Sequence, residues 1–488
     1  MYNKHNFRTS VLLGLLIGWA FVHISPSTGR AADTPARPNI VVVLADDLGY
    51  GDLGCYGNPV IKTPHLDRFA TEGVRLTACY AAAPNCSPAR AGLLTGRTPY
   101  RVGVYDVIQG AANMRLREEE VTIAELLKDA GYDTYHVGKW HLTPERKKDK
   151  QEGSKAALKH GFDFSKAGGE EAGTPLLAGT TVEDFTRWVG GRKDPRRPFF
   201  AYVALTEPHA PVEKKVDEAH RKMYEGKEAE EAARKVPYSI RRKGLPWENR
   251  TAYFGCVTQM DEAFGKLMKH LDDNKLRDNT FVLFASDNGP EHRGAYAFGS
   301  PGPLRGAKGH VYEGGIREPG IVRWPGQIKP GTTCDEPINL TDVLPTLCAV
   351  AGAKVPADRV IDGVNFLPAL EGKKLVRERP LYWGMWAGRG GPQYAMRDGD
   401  WKVVAFTEPL AKDRSVIEHI KSAKVVKFEL YNLRKDPAEA TDLSALEPAV
   451  FERMKQAFLK LHKEVLAEGP KWELEEHRNK ALAAWPGQ

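Results

Sequence analysis

Four side chains with oxygen donors come in two adjacent pairs, and each pair follows an apolar stretch typical of a buried strand. Asp46 and Asp47 follow one stretch, and Asp287 and Asn288 follow another. Carboxylate and amide oxygens suit hard cations such as calcium or magnesium, whereas zinc and copper favour nitrogen and sulfur. One Asp-Asp pair alone is more often a helix cap or a solvated turn. The two pairs together favour a metal site.

Basic and imidazole side chains form a second group of candidates. Lys139 and His141 are two residues apart, so in an extended segment both point to one side. His209 lies in the segment TEPHAP, and Lys308 lies in LRGAKG. Each of them alone would normally be a surface residue. If they converge, they supply positive charge for an anion and groups that transfer protons.

The most specific feature is the segment CSPAR, from Cys86 to Arg90, which continues as AGLLTGR. Pro88 suits the first turn of a helix, and Ser87 is a suitable capping residue. Cys86 would then stand at the positive end of that helix, where backbone N–H groups favour an anion. Taken alone, the five residues fit a helix start with a buried cysteine better. The continuation and the polar clusters favour a reactive cysteine.

These candidates need a scaffold that brings distant segments together, and the hydrophobic pattern predicts one. Continuous apolar runs predict buried strands at residues 39–45, 133–137, 199–205 and 280–285. Helical patterns occupy residues 122–130 and 253–271. This alternation predicts an α/β fold with a large, mostly parallel sheet flanked by helices. Ligands bind beyond the carboxyl ends of such strands, so the polar clusters are predicted to converge there.

The pattern changes after about residue 375. Short alternating segments predict antiparallel strands at residues 381–386, 394–397, 401–406 and 428–432, and a final helix is predicted at residues 448–468. We therefore expect a catalytic domain over residues 33–375 and a smaller C-terminal α+β domain with an antiparallel sheet over residues 376–488.

The first 32 residues read as a secretory signal peptide. Lys4 and Arg8 precede an apolar run over residues 11–22, and the small pair Ala31 and Ala32 suits cleavage. The run is shorter than the roughly 20 residues that span a bilayer, so a transmembrane anchor is the less favoured alternative. We expect a secreted or periplasmic protein without stable membrane insertion after cleavage.

Composition narrows the class of partner. The formal net charge of +7 is a mild basic excess, which suits an anionic substrate. It is not the concentrated basic stripe that nucleic-acid binding requires, so no nucleic-acid partner is expected. The six cysteines show no metal-binding spacing such as CxxC. Export would permit disulfides, whose pairing the sequence leaves open.

The segment from Cys86 to Arg97 resembles the signature of the sulfatases. The opening GDLGCYGNPVIKTPHLDRFATEGVRL most resembles the branch that contains arylsulfatase A and N-acetylgalactosamine-6-sulfatase. The resemblance runs from Pro38 to about Leu443, where ELYNLRKDPAEATDL is similar to a late strand-turn motif of the family. It implies an alkaline-phosphatase-like fold and the hydrolysis of a sulfate ester on a carbohydrate or aryl group. One departure is His310, where relatives usually have a small hydroxyl residue.

The resemblance implies two groups that the gene does not encode. A maturation enzyme would oxidise Cys86 to formylglycine, whose hydrate attacks the sulfur of the substrate. A calcium ion would activate this nucleophile and bind sulfate oxygen. Its implied ligands are Asp46, Asp47, Asp287, Asn288 and the modified Cys86.

The resemblance also implies roles for the basic residues and the histidines. Arg90 and Lys139 would hold the formylglycine hydroxyls. Lys308 would hold the sulfate of a small-molecule or polysaccharide substrate, and Lys139 and His209 would also contact the substrate. His209, together with Lys308, would protonate the leaving alcohol. His141 would act as the general base that returns the aldehyde.

Two other functions fit parts of this pattern. A phosphonate or phosphate ester hydrolase of the same superfamily uses the same metal and nucleophile, but the segments GKWHL, PHAP and AKG favour a sulfatase. A secreted protein that binds sulfated glycans through an inactive site is the alternative from another class. Such proteins usually lose site residues, whereas each position expected for catalysis is filled here.

Overall fold

Strands and helices alternate along the part of the chain that the computed structural model describes, which comprises residues 37–109, 113–144, 152–168, 177–228, 231, 247–291, 298–388 and 390–479. Its strands β1 to β13 span Asn39–Ala45, Val74–Tyr80, Asp133–Gly138, Phe164–Ala167, Phe199–Ala204, Thr280–Ser286, Arg317–Arg323, Thr332–Cys334, Ile338–Asn339, Leu381–Met385, Gln393–Asp398, Trp401–Thr407 and Val425–Asn432. Its helices α1 to α13 span Pro64–Glu72, Cys86–Thr95, Pro99–Val102, Ile123–Asp129, Glu152–Lys159, Ala178–Gly190, Glu218–Lys222, Trp247–Asp273, Glu313–Ile316, Val343–Ala351, Leu367–Leu370, Val416–Ser422 and Pro448–Glu468.

The large sheet has the strand order β4-β3-β5-β1-β6-β7-β2-β8, and β9 also pairs with β2. The first five strands in this order, β4, β3, β5, β1 and β6, are parallel to one another. Strand β7 is antiparallel to both of its neighbours, β6 and β2. The predicted mixed, mostly parallel sheet is therefore confirmed.

Strand β1 lies in the middle of this sheet because both of its faces are apolar. Ile40, Val42 and Leu44 are buried in the core on one face of the sheet, and Val41 and Val43 are buried in the core on the other. The first core includes residues of α2, α4 and α10, and the second includes residues of α1, α6 and α8. A continuous β-branched run is what such a doubly covered strand requires.

The second sheet is the predicted antiparallel one, with the order β10-β11-β12-β13. Residues of this second sheet belong to the same hydrophobic core as residues of helices α2 and α4, which cover one face of the large sheet. Tyr100 of α3, for example, packs against Tyr382 and Tyr394, with ring centroids 6.5 and 5.7 Å apart. Both sheets lie within one compact unit, Arg37–Gln488. The domain boundary at residue 375 stays a prediction.

The predicted signal peptide, residues 1–32, lies outside the described residues. Among the residues that the structure describes, no helix is long and apolar enough to cross a membrane. All six cysteines fall in the described part of the chain, and none of them forms a disulfide.

Candidate active site

Four neighbouring parallel strands, in the order β3, β5, β1 and β6, end at one edge of the large sheet. The residues just beyond these ends are those singled out from the sequence, namely Lys139, His141, His209, Asp46, Asp47, Asp287 and Asn288. The other three candidates reach the same place from elsewhere: Cys86 and Arg90 from α2, and Lys308 from the loop before α9.

The turns at these strand ends use unusual backbone geometry. Asp47 has a φ of 65° and His141 has a φ of 57°, in the left-handed region that side chains rarely adopt. Gly138 has a φ of 99°, and a Cβ there would lie 1.8 Å from the carbonyl oxygen of Ala204. The surrounding structure holds two non-glycine residues in a conformation that costs about 1–3 kcal/mol each, a pattern typical of functional sites.

Each of the three buried carboxylates has its own cationic partner. Lys139 Nζ donates to Asp46 Oδ2 at 2.7 Å, and Lys308 Nζ donates to both carboxyl oxygens of Asp47 at 2.7 Å. Asp287 Oδ2 accepts from Nε and Nη2 of Arg90 at 3.0 and 2.7 Å. The guanidinium of Arg90 also donates to the carbonyl oxygen of Lys139 at 2.9 Å, which ties α2 to the end of β3.

The three carboxylates differ in the direction in which their pKa is shifted. Burial raises the pKa of Asp46, but the charges of Lys139, His209 and Arg90 outweigh burial and hold it well below its usual range. The pKa of Asp47 is also lowered, although burial opposes this, because of the charges of Lys308 and His209. Burial and repulsion from Asp46 raise the pKa of Asp287 to about 7 in spite of Arg90.

The oxygen donors fit a hard cation. Among the described residues, Asp46 Oδ1 and Asn288 Oδ1 are buried and accept no hydrogen bond. Asn288 Nδ2 donates to Asp47 Oδ1 at 2.7 Å, and Asp287 Oδ1 accepts from the backbone N–H of Asp47 at 3.2 Å, so the two pairs of predicted oxygen ligands are in contact. Buried oxygens without partners are rare in proteins, and a bound cation would satisfy these.

One nitrogen lies with this acidic group, at the strand ends where the polar clusters were predicted to converge, although His209 was not among the predicted metal ligands. Ligand atoms of Asp46, Asp47 and His209 lie within 4.8 Å of one another. His209 Nδ1 lies 2.6 Å from the carbonyl oxygen of Ala210, so this nitrogen carries a proton, because a carbonyl only accepts. Burial would lower the pKa of His209, but the charges of Asp46 and Asp47 raise it. A proton is therefore retained close to the carboxylates.

Cys86 is the first residue of α2, and its side chain faces the cations. Burial raises the pKa of this thiol, but the charges of Lys139, His141 and Lys308 lower it to about 5. The predicted capping role of Ser87 is wrong. Asn85 occupies the N-cap position, and the hydroxyl of Ser87, already inside the helix, accepts from the backbone N–H of Ile108 at 3.1 Å.

The carbonyl oxygen of Ile108 also orients His141, a contact that the sequence did not predict. It lies 3.1 Å from His141 Nε2. Because a carbonyl only accepts, Nε2 carries the ring proton, and Nδ1 is the nitrogen able to take up another. The orienting group belongs to the backbone, so no residue type could have indicated it.

An acidic centre whose oxygens fit a cation, beside a cysteine at a helix N-terminus and surrounded by basic side chains, is suited to binding an anionic ester and hydrolysing it. Comparison with known proteins gives the family. A family model described as sulfatase matches residues 38–353, and one described as N-sulphoglucosamine sulphohydrolase, C-terminal, matches residues 307–465. The chain therefore belongs to the sulfatase family, and it is an enzyme that hydrolyses sulfate esters.

Individual relatives agree with the predicted branch. Human arylsulfatase A is 34% identical, with 88% of this chain and 88% of the relative covered. N-acetylgalactosamine-6-sulfatase of Canis lupus familiaris is 33% identical, over 80% of this chain and 76% of the relative. The crystal structure of Ps i-CgsB superimposes with a TM-score of 0.72 at 26% identity, over 92% of this chain and 98% of that one.

The buried pair of Arg90 and Asp287 gives a prediction for stability. Replacing Arg90 by Met removes the only cation that hydrogen-bonds Asp287 among the described residues and leaves a buried carboxylate uncompensated. We expect Arg90→Met to lower the free energy of unfolding by about 3–5 kcal/mol, measured by urea denaturation in chelator. The control is Arg453→Met, which removes an exposed pair with Asp398 and should cost less than about 1 kcal/mol. Equal small losses would contradict this prediction.

Proposed function

We propose that this sulfatase is exported, uses a formylglycine made from Cys86 and a calcium ion, and cleaves the sulfate ester of a sulfated carbohydrate or an aryl sulfate. The observation that carries this proposal is the position of Cys86, buried at the first residue of α2, where the charges of Lys139, His141 and Lys308 act on its side chain. Support for carbohydrate substrates comes from Ps i-CgsB, whose structure is also known in complex with k-i-k-neocarrahexaose.

Formylglycine and calcium would supply chemistry that the encoded side chains lack. When present, formylglycine would offer a hydrated aldehyde hydroxyl as nucleophile, and a bound calcium ion would supply positive charge for the sulfate oxygens and for that hydroxyl. Oxygens of Asp46, Asp47, Asp287 and Asn288 would hold the cation, beside the modified Cys86. The unpartnered Oδ1 atoms of Asp46 and Asn288 favour this ligand set.

The cationic side chains would position the reacting groups. Arg90 is held in place by hydrogen bonds to Asp287 and to the carbonyl oxygen of Lys139, and its charge lies near Cys86. Lys139 and Lys308 both lower the pKa of the Cys86 thiol, so their charges reach the reacting atom. We assign Arg90 and Lys139 to the hydroxyls of the modified residue, and Lys308 to the equatorial sulfate oxygens, where positive charge stabilises the transition state.

The two histidines would move protons in opposite directions. His209 has a raised pKa, retains its proton next to Asp47, and is the acid for the leaving alcohol, with Lys308 as its helper. His141, whose Nε2–H donates to Ile108, would act through Nδ1 as the base that takes the proton of the second hydroxyl on residue 86.

Export and maturation complete the proposal. The basic, apolar and small-residue order of residues 1–32 supports a signal peptide, and therefore a secreted or periplasmic enzyme. A formylglycine-generating enzyme is the implied maturation partner. We also propose residues 33–375 as the catalytic domain and residues 376–488 as the C-terminal subdomain, because the strand pattern changes from parallel to antiparallel between them.

The nucleophile is tested first. Mass spectrometry of the Cys86 peptide, from a host with the maturation machinery, should show the aldehyde or its hydrate. Cys86→Ala should abolish hydrolysis of 4-nitrophenyl sulfate while the urea midpoint stays close to that of the parent, because the change removes one buried atom. The matured enzyme should turn over the aryl sulfate faster than an aryl phosphonate. Full activity with an unmodified thiol would contradict the formylglycine proposal, and a faster phosphonate reaction would contradict the substrate class.

The calcium site is tested by stability. Adding calcium to chelator-treated protein should raise Tm, because a ligand at 100 times its Kd stabilises the folded state by about 2.7 kcal/mol. Asp46→Asn keeps the size of the side chain but removes one ligand charge, and it should abolish most of the rise. Asp398→Asn, at an exposed pair with Arg453, is the matched control and should leave it unchanged. A similar rise in Asp46→Asn would place the calcium elsewhere.

The two histidines are separated by the leaving group. If His209 is the acid, His209→Ala should reduce kcat at least about tenfold more for a sugar sulfate than for 4-nitrophenyl sulfate, whose anion needs little protonation. His141→Ala should slow both substrates alike, because its step follows departure of the alcohol. Equal losses on both substrates for His209→Ala would assign the acid to Lys308 instead.

A further inference from the structure

Lys308 lies on a tight loop, residues 305–314, which we call the Lys308 loop. The backbone N–H of Gly314 donates to the carbonyl oxygen of Arg305 at 2.7 Å and closes the base of this loop. At its tip, the N–H of Lys308 donates to the carbonyl oxygen of Pro290 at 3.1 Å. The loop leaves little room, since a Cβ on Gly314 would lie 2.5 Å from the carbonyl oxygen of Gly306. A shift at either end of the loop would therefore move Lys308.

Both ends of the Lys308 loop are fastened by one residue of the C-terminal region, Glu439. At the start of the loop, Arg305 Nη1 donates to the carbonyl oxygen of Glu439 at 3.0 Å. At its end, the N–H of Glu313 donates to Glu439 Oε2 at 2.7 Å. The other carboxyl oxygen, Oε1, pairs with Lys402 at 2.9 Å. A single side chain and its backbone thus link the two ends of the loop to β12.

The surroundings make this link rigid. Glu313, Lys402 and Glu439 are all 0% exposed, and Lys402 pairs with both carboxylates at 2.9 Å. Glu439 has a φ of 50°, a left-handed conformation that the surrounding structure must hold. A buried ion triad of this kind contributes little net stability compared with apolar packing, but it demands one particular geometry.

Neighbouring residues reinforce the same ends. Arg305 Nη1 also donates to the hydroxyl of Tyr431 at 2.9 Å, and its guanidinium lies 3.8 Å from the ring centroid of Tyr312. The hydroxyls of Tyr312 and Tyr431 both donate to Glu429 Oε2, at 2.6 and 2.8 Å. Glu429, Tyr431 and Glu439 all fall in the segment ELYNLRKDPAEATDL, which holds no residue of the proposed chemistry.

We infer that Glu439 is a positioning residue that fixes Lys308 in the active site by joining both ends of the Lys308 loop to the C-terminal sheet. This inference rests on the proposed role of Lys308 in binding sulfate. It gives the C-terminal sheet a part in catalysis, although none of its side chains touches the substrate in the proposed mechanism.

The test is a double-mutant cycle with 4-nitrophenyl sulfate as substrate. Glu439→Ala should lower kcat/KM about 10–100-fold, the usual effect of losing a residue that orients a ligand-binding group. It should raise the inhibition constant of inorganic sulfate in parallel. In a Lys308→Met background, Glu439→Ala should cost at most about threefold more, because the residue through which it acts is already gone.

The outcomes separate the two proposals. Losses that simply multiply in the double variant, or an unchanged inhibition constant for sulfate in Glu439→Ala, would overturn the positioning role while leaving the role of Lys308 intact. Full activity of Lys308→Met would instead overturn the proposed role of Lys308 itself.

Two further variants guard against misfolding. Arg305→Met removes the hydrogen bonds of Arg305 to Glu439 and Tyr431 and its contact with Tyr312, from a solvent-exposed position. It should lower kcat/KM about 3–10-fold with an unchanged urea midpoint. Arg453→Met, which breaks an exposed pair elsewhere in the C-terminal region, should keep parental activity. If the activity of Glu439→Ala and Arg305→Met falls only in proportion to the unfolded fraction, the positioning role is wrong.

Discussion

The constraint on which the active site depends is charge balance in a buried corner of the sheet. Three carboxylates lie at the carboxyl ends of β1 and β6, and each is almost fully excluded from water. A buried charge is tolerated only when it is paired, and the partners Arg90, Lys139 and Lys308 come from three different segments of the chain. The same ion pairs therefore hold α2, the end of β3 and the Lys308 loop against the central strands. The contacts that preorganise the charges of the site are therefore the same contacts that hold its tertiary structure together.

The sequence indicates strands that are apolar on both faces better than strands that carry charged residues. Strands β1, β5 and β6 were predictable because both faces are buried, which requires an unbroken apolar run. Strand β7 was not, since REPGIVR contains Arg317, Glu318 and Arg323, and their charges obscure the apolar pattern. Glu318 is nevertheless fully buried. Helix α8 begins at Trp247, earlier than the periodicity predicted, because helix ends follow capping and packing more than propensity.

For the site, the residue types after buried strands were informative, whereas the contacts between them were not. The place of His209 beside Asp46 and Asp47 depends on the path of the chain after β5, which has no local signal. Ser87 was expected to cap α2, but the helix starts two residues earlier, so Asn85 has that position. The contact between His141 and Ile108 uses a backbone carbonyl, so no residue type indicates it. Glu439 stands in a charged turn, where an acidic residue reads as solvated surface until the fold buries it.

Because Cys86 is buried in the folded chain, the proposed modification must take place before folding is complete. In the folded chain this side chain is 2% exposed, and parts of the chain synthesised much later close around it. The adjacent Asn85 contacts Met385 at 3.2 Å, and Tyr105 donates to the carbonyl oxygen of Pro470 at 2.7 Å. Any enzyme that modifies this side chain must first reach it. Because synthesis makes the N-terminal part first, Cys86 is accessible only while the residues that enclose it have not yet been made or docked. A chain that folded too quickly would be stable, correctly shaped and without its nucleophile.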